Sequence, residues 1–112
     1  MKKLELILRP EKLEDLKQLL SDMNINGMSV TNILGCGNQK GFTERYRGTI
    51  VHVNLIHKIK VEVVVKDDIV NPLINKVRDG IATGNIGDGK IFVYNVEDAI
   101  RIRTGESGEA AL

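Results

Sequence analysis

Two short stretches carry most of the groups able to do chemistry. Gly84-Asn85-Ile86-Gly87-Asp88-Gly89-Lys90 places three further glycines' worth of freedom after Gly80 and ends on a lysine. Closely spaced glycines let backbone N–H groups converge on an anion, and a lysine beside them adds a full positive charge. These seven residues fit the opening of a Walker A phosphate loop, but Ile91 stands where that motif places a Mg²⁺-binding serine or threonine. The context differs too. A Walker loop follows a strand and opens a helix, whereas this one follows a predicted helix and opens a predicted strand. From this stretch alone, a phosphate cradle and an ordinary helix-to-strand turn both stay open. Arg101 and Arg103 add weight to the first: in extended chain they project on one face as a two-pronged phosphate grip. Each charge-assisted hydrogen bond would contribute on the order of 1.5–3 kcal/mol.

Other polar groups are less specific. Gly37-Asn38-Gln39-Lys40-Gly41 is a second glycine-flanked polar turn, and Glu62 lies on the polar side of its strand, where it meets either a ligand amine or water. His52 and His57 lack metal-ligand spacing with Cys36 or with any carboxylate pair, so they read as ordinary loop histidines. Cys36 has no base near it in sequence and reads as a small packing residue. No nucleophile, base and orienting group form a set, so no enzyme is expected. Lys40-Gly41-Phe42 resembles the start of an RNA-binding strand motif, but Thr43 and Glu44 replace its small and aromatic positions. No nucleic-acid partner is expected.

The elements that must position these groups follow from periodicity. Leu4, Leu6 and Leu8 alternate over Lys3–Arg9 and predict a strand with one buried face. Pro10 ends it, and Leu13, Leu16, Leu19, Leu20 and Met23 recur at helical spacing over Glu11–Met23. Met28–Leu34 returns to alternation. Ile59, Val61, Val63 and Val65 define another strand, and Ile69, Leu73, Ile74, Val77 and Ile81 form the buried face of a second helix. Asp67 or Asp68, or else Asn71 ahead of Pro72 at the first helical position, can cap that helix. Ile91–Val96 is the last strand. Between the halves, Gly35 to about Ile56 is a long excursion that includes a polar alternating run and reads as a loose hairpin; so long a loop in so small a domain points to function or disorder. Since it lies between two good strands, its deletion should spare the core. The order βαβ, loop, βαβ predicts an α+β ferredoxin-like fold, a four-stranded antiparallel sheet backed by two helices.

Composition sets the outer limits. With 112 residues, 11 of them glycine, and only 4% aromatic content, the chain is one small domain (1–112) with little core to spare for an enclosed cavity. Any site is therefore expected at an edge or between subunits. The net charge of +1 argues against a general electrostatic grip on nucleic acid or anionic membrane. No apolar run approaches the roughly 18 residues that span a bilayer, no secretory signal is visible, and the single cysteine has no internal partner. A cytoplasmic location is expected.

Taken together, Gly35–Gly41, Thr43–Gly48, Thr83–Val93 and Ile100–Glu106 resemble the PII nitrogen-signalling proteins, in particular the GlnK type. The four motifs occur in order, correctly spaced, over essentially the whole chain. The resemblance implies a homotrimer whose sheets line the centre, a T-loop over about 37–55, a B-loop over about 82–90 and a C-terminal loop over about 101–112. It implies that ATP and ADP compete for clefts between subunits and that 2-oxoglutarate binds beside Mg-ATP. Gly87, Asp88, Gly89 and Lys90 would hold phosphates, with Arg101, Ile102 and Arg103 arriving from the neighbouring chain. Ser29, Glu62 and Val64 would surround the nucleoside, and Gly37 and Asn38 would lie on the nucleotide. Gln39 would coordinate Mg²⁺, while Lys58 and the backbone of Gln39, Lys40 and Gly41 would receive 2-oxoglutarate. Tyr46, Arg47, Gly48 and Thr49 would meet the partner, an ammonium transporter of the AmtB type or else a nitrogen-metabolism enzyme or transcription regulator. Membrane association would be reversible and would run only through the transporter.

Departures from that pattern carry their own expectations. The T-loop position that bears a modifiable tyrosine in many relatives is Val51, which has no hydroxyl, so nucleotidylylation there is excluded. Thr49 keeps a hydroxyl where some relatives are phosphorylated. Asn38 replaces the usual arginine and removes a phosphate contact, which keeps a binding module for another ligand as one alternative; a slow ATPase on the same glycine loop is another.

Overall fold

The computed structural model describes residues 1–35, 43–46, 49–52 and 55–112. Its first strand, β1 (Lys2–Leu8), points Leu4, Leu6 and Leu8 into the core, as the alternation requires. A 3-10 turn at Pro10–Lys12 leads into helix α1 (Leu13–Asp22), which buries Leu16 and Leu20. Strand β2 is Ser29–Gly35 and β5 is Ile56–Val65, with a two-stranded hairpin between them, β3 (Thr43–Tyr46) and β4 (Thr49–His52). Helix α2 spans Asp67–Ile81, and β6 spans Lys90–Asn95.

The main sheet runs β2-β5-β1-β6 and every neighbouring pair is antiparallel. This is the ferredoxin-like arrangement. Leu4, Leu6 and Leu8 of β1 join Ile59, Val61, Val63 and Val65 of β5 beneath Leu16, Leu20, Leu73, Val77 and Ile81 of the helices. Both helices thus cover one face, and the other is open. On the open side lie Lys3, Glu5, Lys60, Glu62, Val64, Phe92 and Tyr94, because side chains alternate along each strand and the registers Glu5↔Glu62 and Glu5↔Phe92 align them.

Three expectations change. Helix α2 begins at Asp67 without a side-chain cap, and Pro72 lies inside it rather than at its first position. The Asp67 carboxylate is instead 2.9 Å from the Met1 amino group, so it pairs with a charge and is unavailable as a cap. Pro72 faces solvent and leaves the apolar stripe of Leu73, Val77 and Ile81 in place; the burial of that stripe offsets the hydrogen bond that proline cannot make. Second, Arg101–Thr104 is a turn, not extended chain: the Gly105 N–H donates to the Arg101 carbonyl at 2.8 Å. Third, β5 starts at Ile56, because Gly35↔Ile56 and Leu34↔His57 continue the β2–β5 ladder into what sequence alone assigns to the excursion. The hairpin reading of the excursion agrees with the pairing of Thr43↔His52 and Tyr46↔Thr49. Cys36, Gly37, Asn38, Gln39, Lys40, Gly41, Arg47 and Gly48 lie outside the described residues.

Candidate functional site

The glycine loop between α2 and β6 is built around one carboxylate. Asp88 accepts hydrogen bonds from the Thr83 N–H at 2.7 Å, the Gly84 N–H at 2.9 Å and the Thr83 hydroxyl, and the Arg9 Nε lies 3.5 Å away. Chiefly through the Thr83 hydroxyl, these donors lower its pKa from 3.8 to about 2. Gly84, Gly87 and Gly89 take left-handed φ values of 83°, 102° and 109°. At Gly89 the need for glycine is absolute in space as well as in angle: a Cβ there would sit 1.6 Å from the Ile7 carbonyl oxygen. The loop is thereby held against the end of β1.

Two cations grip the outer turn. Arg9 donates to the Ile86 carbonyl at 2.8 Å, and Lys58 donates to the Gly87 carbonyl at 2.6 Å. A trans peptide points its N–H opposite to its carbonyl, so the Gly87 N–H faces away from Arg9. Lys58 is only 8% exposed. Burial lowers its pKa, and so does Arg9, while Glu11 and Asp88 oppose the shift. Lys90 is exposed at the start of β6, opposite Ile7. The result is a turn whose carbonyls are drawn inward by cations and whose rim carries a lysine. Such a surface attracts a polyanion.

Ser29, Glu62 and Val64 lie at the other end of the sheet. Ser29 and Glu62 are register partners, and Val64 shares their face two residues on. They border an open groove of about 770 Å³ whose far wall includes Asn24–Met28 and Ala111–Leu112. That wall begins where α1 ends: Asn24 adopts φ 59°, and the Ile25 N–H closes onto the Leu20 carbonyl at 2.9 Å. Glu62 is paired with lysines on the open face of the sheet. It lies between Lys3 at 3.6 Å and Lys60 at 3.8 Å, within a network that continues from Lys60 to Glu5 at 3.5 Å and from the Tyr94 hydroxyl to Glu5 at 3.0 Å. Lys3 also sits 4.7 Å over the Tyr94 ring.

Arg101, Ile102 and Arg103 lie beyond the end of β6 opposite to Lys90. Arg101 is turned back on its own segment, donating to Glu106 at 2.9 Å and to the Ala110 carbonyl at 3.2 Å. Ile102 is 99% exposed and Arg103 is exposed beside it. The two arginines therefore do not share one face of a strand. The glycine loop and the arginines are separated by the length of β6, about 20 Å at 3.3 Å per residue. Within one chain the structure brings Lys58 to Gly87 and Asp88, and Ser29 to Glu62 and Val64, but it does not bring these two groups together.

Sequence reasoning missed four participants. Arg9 reads as the end of a strand, and no role was read for the side chains of Thr83, Lys3 or Glu106. The one local signal was Thr83 followed five residues later by Asp88, a spacing that suits a side-chain clasp across a turn. His57 hydrogen-bonds Asn32 at 3.0 Å. Tyr46 and Thr49 pair across the hairpin, so the expected partner-binding residues that are described sit at its turn.

A family model described as "Nitrogen regulatory protein P-II" matches residues 1–106. Over all 112 residues, and over the whole of each relative, the chain is 52% identical to the nitrogen regulatory protein P-II of Haemophilus influenzae and 49% identical to that of Bradyrhizobium diazoefficiens. It is 48% identical over the same span to nitrogen regulatory protein P-II 1 of Escherichia coli.

Proposed function

The chain belongs to the P-II family of nitrogen regulatory proteins, and from that membership we propose that it is a non-enzymatic homotrimeric sensor of ATP and ADP. The observation that carries this reading is the division of the anion-seeking groups. Gly87, Gly89 and Lys90 form one half-site, and the groove of Ser29, Glu62 and Val64 lies at the opposite end of the sheet with Arg101 and Arg103. Neither half encloses a nucleotide. A second copy, set head to tail, completes one half with the other, and closure of that arrangement gives a ring.

In this reading the Gly87 N–H and Lys90 take the phosphates of one copy's ligand, while the next copy supplies the arginines and the nucleoside groove. Asp88 and Gly89 take part through their backbone, while the Asp88 carboxylate, held by Thr83 and Gly84, fixes the shape of the loop. Lys58, with Gln39, Lys40 and Gly41, receives 2-oxoglutarate, and Gln39 holds Mg²⁺ beside ATP. The segment 37–55 then reports ligand state, because a ligand that binds one loop shape better shifts the loop's population. Its target is an ammonium transporter or a nitrogen-metabolism protein, met through Tyr46, Arg47, Gly48 and Thr49, with the protein cytoplasmic and reaching the membrane only through that transporter. Among the described residues no helix is long and apolar enough to cross a membrane.

Titration calorimetry with ATP, with ADP, and with 2-oxoglutarate in the presence of Mg-ATP tests the reading. Heat from both nucleotides, lost in Lys90→Ala, is expected. No heat from either nucleotide overturns it.

A further inference from the structure

The loop after β6 is organised around one guanidinium. At its base the Gly108 N–H donates to the Ala99 carbonyl at 2.9 Å and to the Asp98 carboxylate at 3.0 Å, and Ile100 bridges Ser107. Inside, the Arg101 N–H donates to the Glu106 carbonyl at 2.8 Å. The Arg101 side chain then donates to the Glu106 carboxylate at 2.9 Å, and the Thr104 hydroxyl donates to that same carboxylate oxygen at 2.8 Å. The guanidinium also donates to the Ala110 carbonyl at 3.2 Å, in the short turn Gly108–Ala111, and to the Leu112 carbonyl at 3.5 Å. That turn carries Glu109, 4.0 Å from Lys66, and leads to the Ala111 and Leu112 wall of the groove.

Arg101 is thus already engaged, and one of its contacts reaches the segment that borders the groove. Among the described residues Arg103 has no such holder. Resting on the reading of Arg101 as a phosphate contact, we infer that Glu106 is a positioning residue that competes with the ligand phosphate for Arg101. Exchange of one anion for the other frees Gly108–Ala111 from its guanidinium tie. The exchange is feasible because the pair is half-exposed, where ion pairs are weak, while a phosphate offers the guanidinium a bidentate partner. Glu106 therefore sets how strong an anion must be to claim Arg101, and ligand occupancy is transmitted to the groove wall through the Ala110 carbonyl.

A double-mutant cycle on the full chain decides this. ATP should bind Glu106→Gln about two- to fivefold more tightly than the parent chain, as removal of an exposed competing charge allows. In an Arg101→Gln background the same substitution should change ATP affinity by less than about 1.5-fold, since no guanidinium remains to compete for. An Arg103→Gln background should leave the Glu106→Gln gain intact. Amide hydrogen exchange over residues 105–112 should speed up when ATP saturates the parent chain. Weaker or unchanged binding by Glu106→Gln, or an equal gain without Arg101, overturns the inference while the nucleotide reading stands. No ATP binding by the parent chain overturns both.

Discussion

Gly89 and Asp88 are neighbours that hold the same loop by opposite means, and each makes a separate prediction. Gly89 is fixed by sterics: its φ of 109° disfavours any L side chain, and an added Cβ would lie 1.6 Å from the Ile7 oxygen. Backbone cannot swing aside as a flexible side chain can. Gly89→Ala should therefore lose about 2–5 kcal/mol, the sum of left-handed strain and a forced shift of packed backbone, measured by urea unfolding. Gly84 has φ 83° but nothing within 4 Å of its Cβ position, so Gly84→Ala should lose only about 1–2 kcal/mol. Equal losses would mean that close approach to β1 is not what selects glycine at 89. Asp88 is fixed by hydrogen bonds, first of all that from the Thr83 hydroxyl, which lower its pKa from 3.8 to about 2. A depressed carboxyl stabilises the fold above its unfolded pKa, and that contribution is lost as pH falls through the folded value. Asp88→Asn should lower the unfolding temperature at neutral pH, and the gap from the parent chain should close between pH 3.8 and about 2. A gap that persists at pH 2 would show that the carboxylate's charge is not the clasp. The glycines were legible in the sequence because left-handed turns have few alternatives. Arg9 was not, since its partners Ile86 and Asp88 lie 77 and 79 residues away and meet it only through the sheet register.

At the scale of elements, legibility followed the range of the interaction. Leu4, Leu6 and Leu8, and Ile59, Val61, Val63 and Val65, showed their strands because a buried sheet face imposes alternation locally. The start of α2 was left open between Asp67 or Asp68 and Asn71; it lies at Asp67, but without the side-chain cap, because the Met1 amino group claims Asp67 and the apolar stripe carries Pro72 within the helix. The arginine segment was misread because alternation was assumed where Gly105 and Gly108, at φ 74° and 68°, let the chain fold back. The excursion shows the same logic from the other side. Gly35 and Ile56 are ladder partners, so the two ends of the excursion are already side by side, and a short turn can join them. Replacing residues 37–54 with Asn-Gly should hold the unfolding temperature within about 5 °C, because a shorter loop has less closure entropy to lose and the core of the described residues is built from β1, β5 and the two helices. The same variant should lose the ligand-dependent partner complex. A drop well beyond that range would mean that the hairpin helps hold the sheet.

For the whole molecule, the open face of the sheet and the separated half-sites raise one question. Lys3, Glu5, Lys60, Glu62 and Tyr94 are linked across that face, and Phe92, 45% exposed, lies opposite Glu5 on it. Exposed aromatic surface combined with internally paired charge suits contact with another protein face better than contact with water. A head-to-tail assembly uses different surfaces on its two sides, so its site can be split between two mutants. Lys90→Ala damages the glycine loop and leaves the arginines intact; Arg103→Ala does the reverse. Each alone should bind ATP weakly. Co-expressed under two tags and purified through both, the two variants assemble at random. In every mixed ring of three that passes both tags, whichever variant is in the majority, one of the three junctions has an intact loop facing an intact arginine, so about a third of the parent number of sites is whole. Calorimetry on the mixed assembly should recover about that fraction of sites at parent affinity. If the site lies within one protomer, every copy carries one of the two defects and nothing is recovered. Recovered sites point to a site shared between copies, since Lys90 opens β6 and the arginines follow its far end. The mixed protein therefore separates a shared site from a private one by a count of sites.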